Sequence, residues 1–172
     1  MMKKVIFLFL LSIFLSCKLS FSESMKILFD PEISKEIENS YKVLTDPGNL
    51  IIGSHCGYAG QKPKGLAAIQ VLARYKRLDL IQKILNGPNL GGQVYAAWAL
   101  LEFQKRGSKI SVTDRMKIKD LELSKKVVPA CYGCFSSSAF VKDVLEFKKE
   151  SPLAGISFFE RPHIFQLDDT PK

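Results

Sequence analysis

The chain has 172 residues, of which 47% are hydrophobic and 24% charged, and its formal net charge is +8 at neutral pH. That length suggests one domain, and the composition is too apolar for wholesale disorder and sufficient for a small core. Lysines are scattered and no basic motif is interleaved with aromatics, so nucleic acid is not expected as a partner. The basic excess suits an anionic lipid or another acidic surface, although a solvated basic face accounts for it as well.

Met1-Met2-Lys3-Lys4 forms a short basic start, followed by an apolar run from Val5 to Leu15 that only Ser12 interrupts. A bilayer span needs about 20 apolar residues, so this run reads as a signal peptide rather than a membrane helix. It ends in Phe14-Leu15-Ser16-Cys17, which resembles the lipobox of bacterial lipoprotein precursors, with Phe14 replacing the usual leucine. The resemblance implies a signal peptide over residues 1–16, cleavage before Cys17, and a diacylglyceryl group on the Cys17 thiol. It also implies a location in the bacterial cell envelope, with the membrane itself as a partner. Each buried methylene of such an anchor contributes about 0.8 kcal/mol, and two or three chains hold firmly. Which of two membranes would carry the anchor is left open. Loss of Lys3 and Lys4 with the leader takes the charge to +6.

Residues 17–29 then form the lipidated cysteine and a polar tether. A helical domain is expected over residues 30–150 and an irregular tail over residues 151–172. Asp30-Pro31 places an N-cap before a first-turn proline, and Ile33, Ile37, Tyr41 and Leu44 follow at helical spacing. Asp46-Pro47-Gly48 ends that helix. Residues 49–64 read as a loop with a possible short strand at Leu50-Ile51-Ile52. Helices are expected over 66–75, 78–85, 93–106 and from a Thr113-Asp114 cap to about Leu123. A fifth is expected after Ser136-Ser137-Ser138, with Phe140, Val144 and Phe147 on one face.

Leu66 to Arg77 can be laid on Tyr95 to Arg106, matching Ala67 with Ala96, Ala68 with Ala97 and Leu72 with Leu101. Small alanines let neighbouring helices approach closely, and the stretch 65–123 resembles short HEAT-like repeats. The expected fold is all-α: a small α-α helical repeat (a HEAT-like solenoid) or an irregular helical bundle, with an irregular C-terminal tail. About two repeats are visible, where solenoids usually need three, so flanking helices would act as caps.

With Cys17 lipidated, Cys56, Cys131 and Cys134 remain, the last two in a Cys-Tyr-Gly-Cys motif. In an oxidising envelope the first reading is a disulfide, within the motif at a helix start or from Cys56 to one of its members. Zinc is a second reading, with His55, Cys56, Cys131 and Cys134 as a Cys₃His set, although neighbours 55 and 56 are awkward joint ligands. Thiol-disulfide catalysis is third, because no βαβ context surrounds the motif. Ser54-His55-Cys56 holds catalytic residue types, but sequence adjacency does not make a triad. His163 reads as a surface residue.

No phosphate loop or hydrolase motif is present, so the expectation is a non-enzymatic, membrane-anchored lipoprotein. Its helical domain would present a surface to a protein partner. Tyr75 and Tyr95 are candidate interface anchors, whereas helical spacing assigns Trp98 and Phe103 to the core. No cofactor is expected beyond the lipid, and the alternative is a thiol-redox or zinc-binding lipoprotein.

Overall fold

The computed structural model describes residues 30–48 and 50–146. The leader, Cys17, the tether, Phe147, His163 and the tail lie outside the described residues. The chain divides into two compact units, Met1–Glu36 and Ile37–Lys172, and the first contributes only the opening of one helix to the described set.

That helix, α1 (Pro31–Thr45), starts where Asp30 accepts the amide of Glu32 at 2.9 Å. Ile37, Ser40 and Leu44 form its buried stripe. Four further helices follow: α2 (Lys64–Arg74), α3 (Leu78–Leu85), α4 (Leu90–Lys105) and α5 (Val112–Glu122). After them come strands β1 (Val127–Tyr132) and β2 (Phe135–Phe140) and a short helix α6 (Val141–Leu145). No helix among the described residues is long and apolar enough to cross a membrane.

Helix α4 is the centre of the fold. Its residues from Gly91 to Leu100 are buried on every side, as expected of a helix apolar all round. It packs against α2, α3, α6 and β1. Its N-terminus is fixed by Asn89, which caps the amide of Gly92 at 3.0 Å. The other end of the same side chain donates to the carbonyls of Asp46 and Gly48, joining α4 to the end of α1. Helix α2 ends with Lys76 at φ 52°, and the Arg77 amide reaches back to the Leu72 carbonyl at 2.9 Å. Helix α4 ends the same way through Gly107, with Ser108 bonded to Phe103. Both ends satisfy otherwise orphaned carbonyls.

Of the pairs in the expected alignment of α2 with α4, Ala68 and Ala97 are both buried, whereas Leu72 is fully buried and Leu101 only half-buried. The alignment breaks at Ala67, which is exposed while Ala96 is fully buried. Helix α5 is capped by Ser111 rather than by Thr113-Asp114. The Ser111 hydroxyl accepts the Asp114 amide and donates to the Asp114 carboxylate, which also accepts from Gln82 of α3 at 2.8 Å.

The largest correction lies after α5. The fold is mostly helical, consistent with the expected helical bundle, and adds a small two-stranded antiparallel sheet that was not expected. Ser136-Ser137-Ser138 do not lead into a helix. They pair with Cys131, Ala130 and Pro129 of β1, and the helix begins only at Val141. Serine competes poorly for helix interiors, and two flanking strand-forming segments offer its backbone a ladder instead.

Candidate functional site

Gly133 and Cys134 form the two-residue turn between β1 and β2, flanked by the pair Tyr132 and Phe135. Gly133 adopts φ 54°, the left-handed value that a two-residue hairpin turn demands at its first central position and that glycine reaches without strain. The Cys-x-x-Cys motif therefore straddles a hairpin turn and does not start a helix.

The loop before α2 supplies a third, parallel segment along β1. The Ile52 amide donates to the Pro129 carbonyl at 2.8 Å, and the Cys131 amide returns to the Ile52 carbonyl at 2.9 Å. Pro129 has no N–H and only accepts, so the ladder starts there. Bridges then pair Ile52 with Ala130 and Cys56 with Gly133, four residues advancing against three. Cys56 also pairs with Gln61, closing a tight hairpin over Gly57-Tyr58-Ala59-Gly60.

Two turns thus lie side by side, and a covalent bond ties them. Cys56 and Cys131 are paired as a disulfide, with Cα atoms 5.5 Å apart and a sequence separation of 75. Gly53 permits the approach, because a Cβ there would lie 2.8 Å from the Cys131 sulfur. The Gly57 amide bonds to the Gly133 carbonyl at 2.5 Å, and the Gly133 amide to the His55 carbonyl at 3.1 Å. Cys134 is the free cysteine among the described residues and is exposed at the turn.

Tyr95 anchors this clasp from below. It is wholly buried, with its ring over Gly65 and edge-on to Trp98 at 5.4 Å, and its hydroxyl donates to the Ile51 carbonyl at 2.8 Å. Burial pushes its phenol well above the ordinary value of 10, against the backbone amides of Gly53 and Leu66, which pull it down. The reading of Tyr95 as an interface anchor is therefore corrected: helix α4 is apolar on all sides, and Tyr95 faces the core. Trp98 and Phe103 are buried, as helical spacing indicates. Tyr75, at the C-cap of α2, is half-buried.

The four-ligand zinc set is not assembled. Among the described residues no group of three or more His, Cys, Asp or Glu side chains could hold a metal ion. Two of the four sulfur and nitrogen ligands are consumed, because Cys56 and Cys131 bond to each other. His55 instead meets its neighbour, with Nδ1 2.9 Å from the Ser54 hydroxyl. That contact is local and assembles no triad.

Sequence reasoning missed Tyr58, whose side chain is 99% exposed at the tip of the stapled hairpin. The available signal was Gly57-Tyr58-Ala59-Gly60, an aromatic framed by glycines in a loop that also carries a cysteine. Chemically, the arrangement offers an exposed aromatic tip and an exposed thiol three residues from a disulfide cysteine. No protein-family model, no curated protein and no solved structure matches the chain.

Proposed function

We propose that this protein is a lipid-anchored envelope lipoprotein whose helical domain presents the disulfide-clasped pair of turns to a protein partner. The observation that carries the reading is the Cys56–Cys131 pair, since such a bond persists in oxidising compartments. The Phe-Leu-Ser-Cys sequence at residues 14–17 agrees with export and supplies the anchor. Tyr58 is the natural contact residue, because a tyrosine offers large amphipathic area at low entropic cost and its loop is already ordered. A HEAT-like repeat is supported by the contacts of α2 with α4 and of α3 with α5, which join alternate helices as stacked repeats do.

The test has two parts. Mass spectrometry of the mature N-terminus should find diacylglycerol on Cys17, and the Cys17→Ser chain should leave the membrane fraction. A photo-crosslinker at position 58 of the native lipoprotein should capture a protein from intact envelope, and reduction of the disulfide should weaken capture. An unmodified Cys17 overturns the anchor, and equal capture with and without the disulfide overturns the stapled tip.

A second reading, thiol exchange, rests on Cys134. Its thiolate would attack the Cys131 sulfur, forming a Cys131–Cys134 bond and expelling Cys56 as thiolate, with no net oxidation. Mapping of alkylated thiols separates the two. Label on Cys134 alone supports a structural disulfide, and label shared with Cys56 supports exchange.

A further inference from the structure

Helix α5 buries one side in the fold and exposes apolar side chains on the other, two within the helix and one at its C-cap. Its inner face buries Asp114, Ile118 and Leu121. Val112, Met116 and Leu123 are 65%, 65% and 66% exposed. At 3.6 residues per turn these three fall within about 40° of one another, opposite the buried trio. A soluble surface tolerates single exposed apolar side chains, but Val112 and Met116 one turn apart, with Leu123 at the C-cap beyond Lys119, form a patch that calls for a partner.

The surroundings of the patch name the partner. Arg115 and Lys119 on the helix, and Lys125 and Lys126 just beyond its end, are exposed. Asp120 is the exposed acid of the helix, while Glu122 is half-buried and paired with Lys119 at 3.2 Å. An apolar patch beside exposed cations suits a membrane interface, with the apolar side chains at the acyl boundary and the cations at anionic headgroups. A second copy of the chain is disfavoured by the same charges. A two-fold contact would set this cationic face against itself.

We infer that the outer face of α5 docks the domain on an anionic bilayer surface. The inference rests on the lipoprotein reading in one respect: an anchored chain meets the bilayer at high effective concentration, so a modest patch suffices. Docking would hold the domain in one orientation on the membrane.

Met116 provides the readout, because methionine exposed to peroxide becomes the sulfoxide and one buried in a bilayer is protected. The native lipoprotein is reconstituted in phosphatidylcholine vesicles with and without phosphatidylglycerol, and Met116 oxidation is followed by peptide mass spectrometry. Oxidation should slow several-fold only where phosphatidylglycerol is present, and high salt should restore the rate. Lys125→Glu with Lys126→Glu should remove the protection, each cation lost weakening the contact roughly five-fold. A circular dichroism melt unchanged in the double variant excludes unfolding. Equal oxidation in both vesicles overturns the proposal. So does protection that appears in detergent and grows with protein concentration, which would identify a second copy, or protection that requires envelope extract, which would identify a protein partner. The mass of the Cys17 peptide is read from the same digest, so a missing anchor is distinguished from a missing docking face.

Discussion

Cutting the Cys56–Cys131 bond is the perturbation whose size the structure fixes best. The two cysteines are 75 residues apart, so the bond removes a long loop from the unfolded ensemble. The chain-entropy relation for a loop of that length gives about 4.5 kcal/mol at 25 °C. For a domain of this size each kcal/mol moves the melting temperature by about 4 °C, so loss of the bond should lower it on the order of 15 °C. The proper variant is Cys56→Ser, because Cys56 is half-buried whereas Cys131 is buried, where a serine hydroxyl would add its own desolvation cost. Calorimetry of the oxidised protein, the reduced protein and Cys56→Ser should give one high and two matching low transitions. Cys134→Ser should melt with the oxidised protein, since that thiol is exposed and unbonded. A melting point indifferent to reductant, or a peptide map that pairs Cys134 with either partner, would refute the clasp.

Tyr95→Phe removes a buried hydroxyl and strands the Ile51 carbonyl, so the denaturant midpoint should fall by an amount equivalent to about 1–3 kcal/mol. The same residue sets a pH signature. Its folded value is raised, so the unfolded chain loses the phenolic proton first as the pH passes 10, and stability present below that pH declines above it. Melting curves above pH 10 should fall less steeply for Tyr95→Phe than for the native protein; parallel slopes would contradict the assignment. Ala97→Leu should cost about 1–3 kcal/mol by overpacking, because Ala97 is fully buried in α4, and an unshifted melting point would place it at a yielding surface. Asn89→Ala should cost about 2 kcal/mol in urea titrations, one part for the lost cap and the rest for the carbonyls of Asp46 and Gly48. A cost of only a few tenths would show that water replaces the side chain.

Local pattern was enough for the helices with a strong period. Leu78 to Leu85 appears in the sequence with the bounds it has in the structure, and α2 differs by two residues at its start and one at its end. The hairpin was hidden for a physical reason. Pro129 breaks the alternation of β1, and Ser136 to Ser138 carry no apolar signal, so their pairing is decided by the opposite strand rather than by their own preference. The parallel partner was more remote still. Nothing local in Ile52 or Gly53 says that β1, over 70 residues away, will lie beside them. The cysteines showed that a bond was available but left its pairing open, because three positions allow three bonds.

Tyr95 shows how these levels meet. A helix apolar all round gives no face on which to place a tyrosine, so composition alone cannot separate a contact residue from a core residue. The polar atom decides. A buried hydroxyl needs a partner, and the Ile51 carbonyl lies in a segment that has no helix of its own. Tyr95 therefore ties the central helix to the loop just before Gly53, and the disulfide ties the same loop to β1 three residues beyond it. Between those two fastenings the chain has little freedom, so Tyr58 is displayed from a fixed base. If binding depends on that rigidity, Tyr95→Phe and reduction of the disulfide should each weaken capture at position 58 without touching Tyr58 itself. Their combined effect should be less than additive, because both release the same segment. Fully additive losses would mean that the two fastenings act on different parts of the surface.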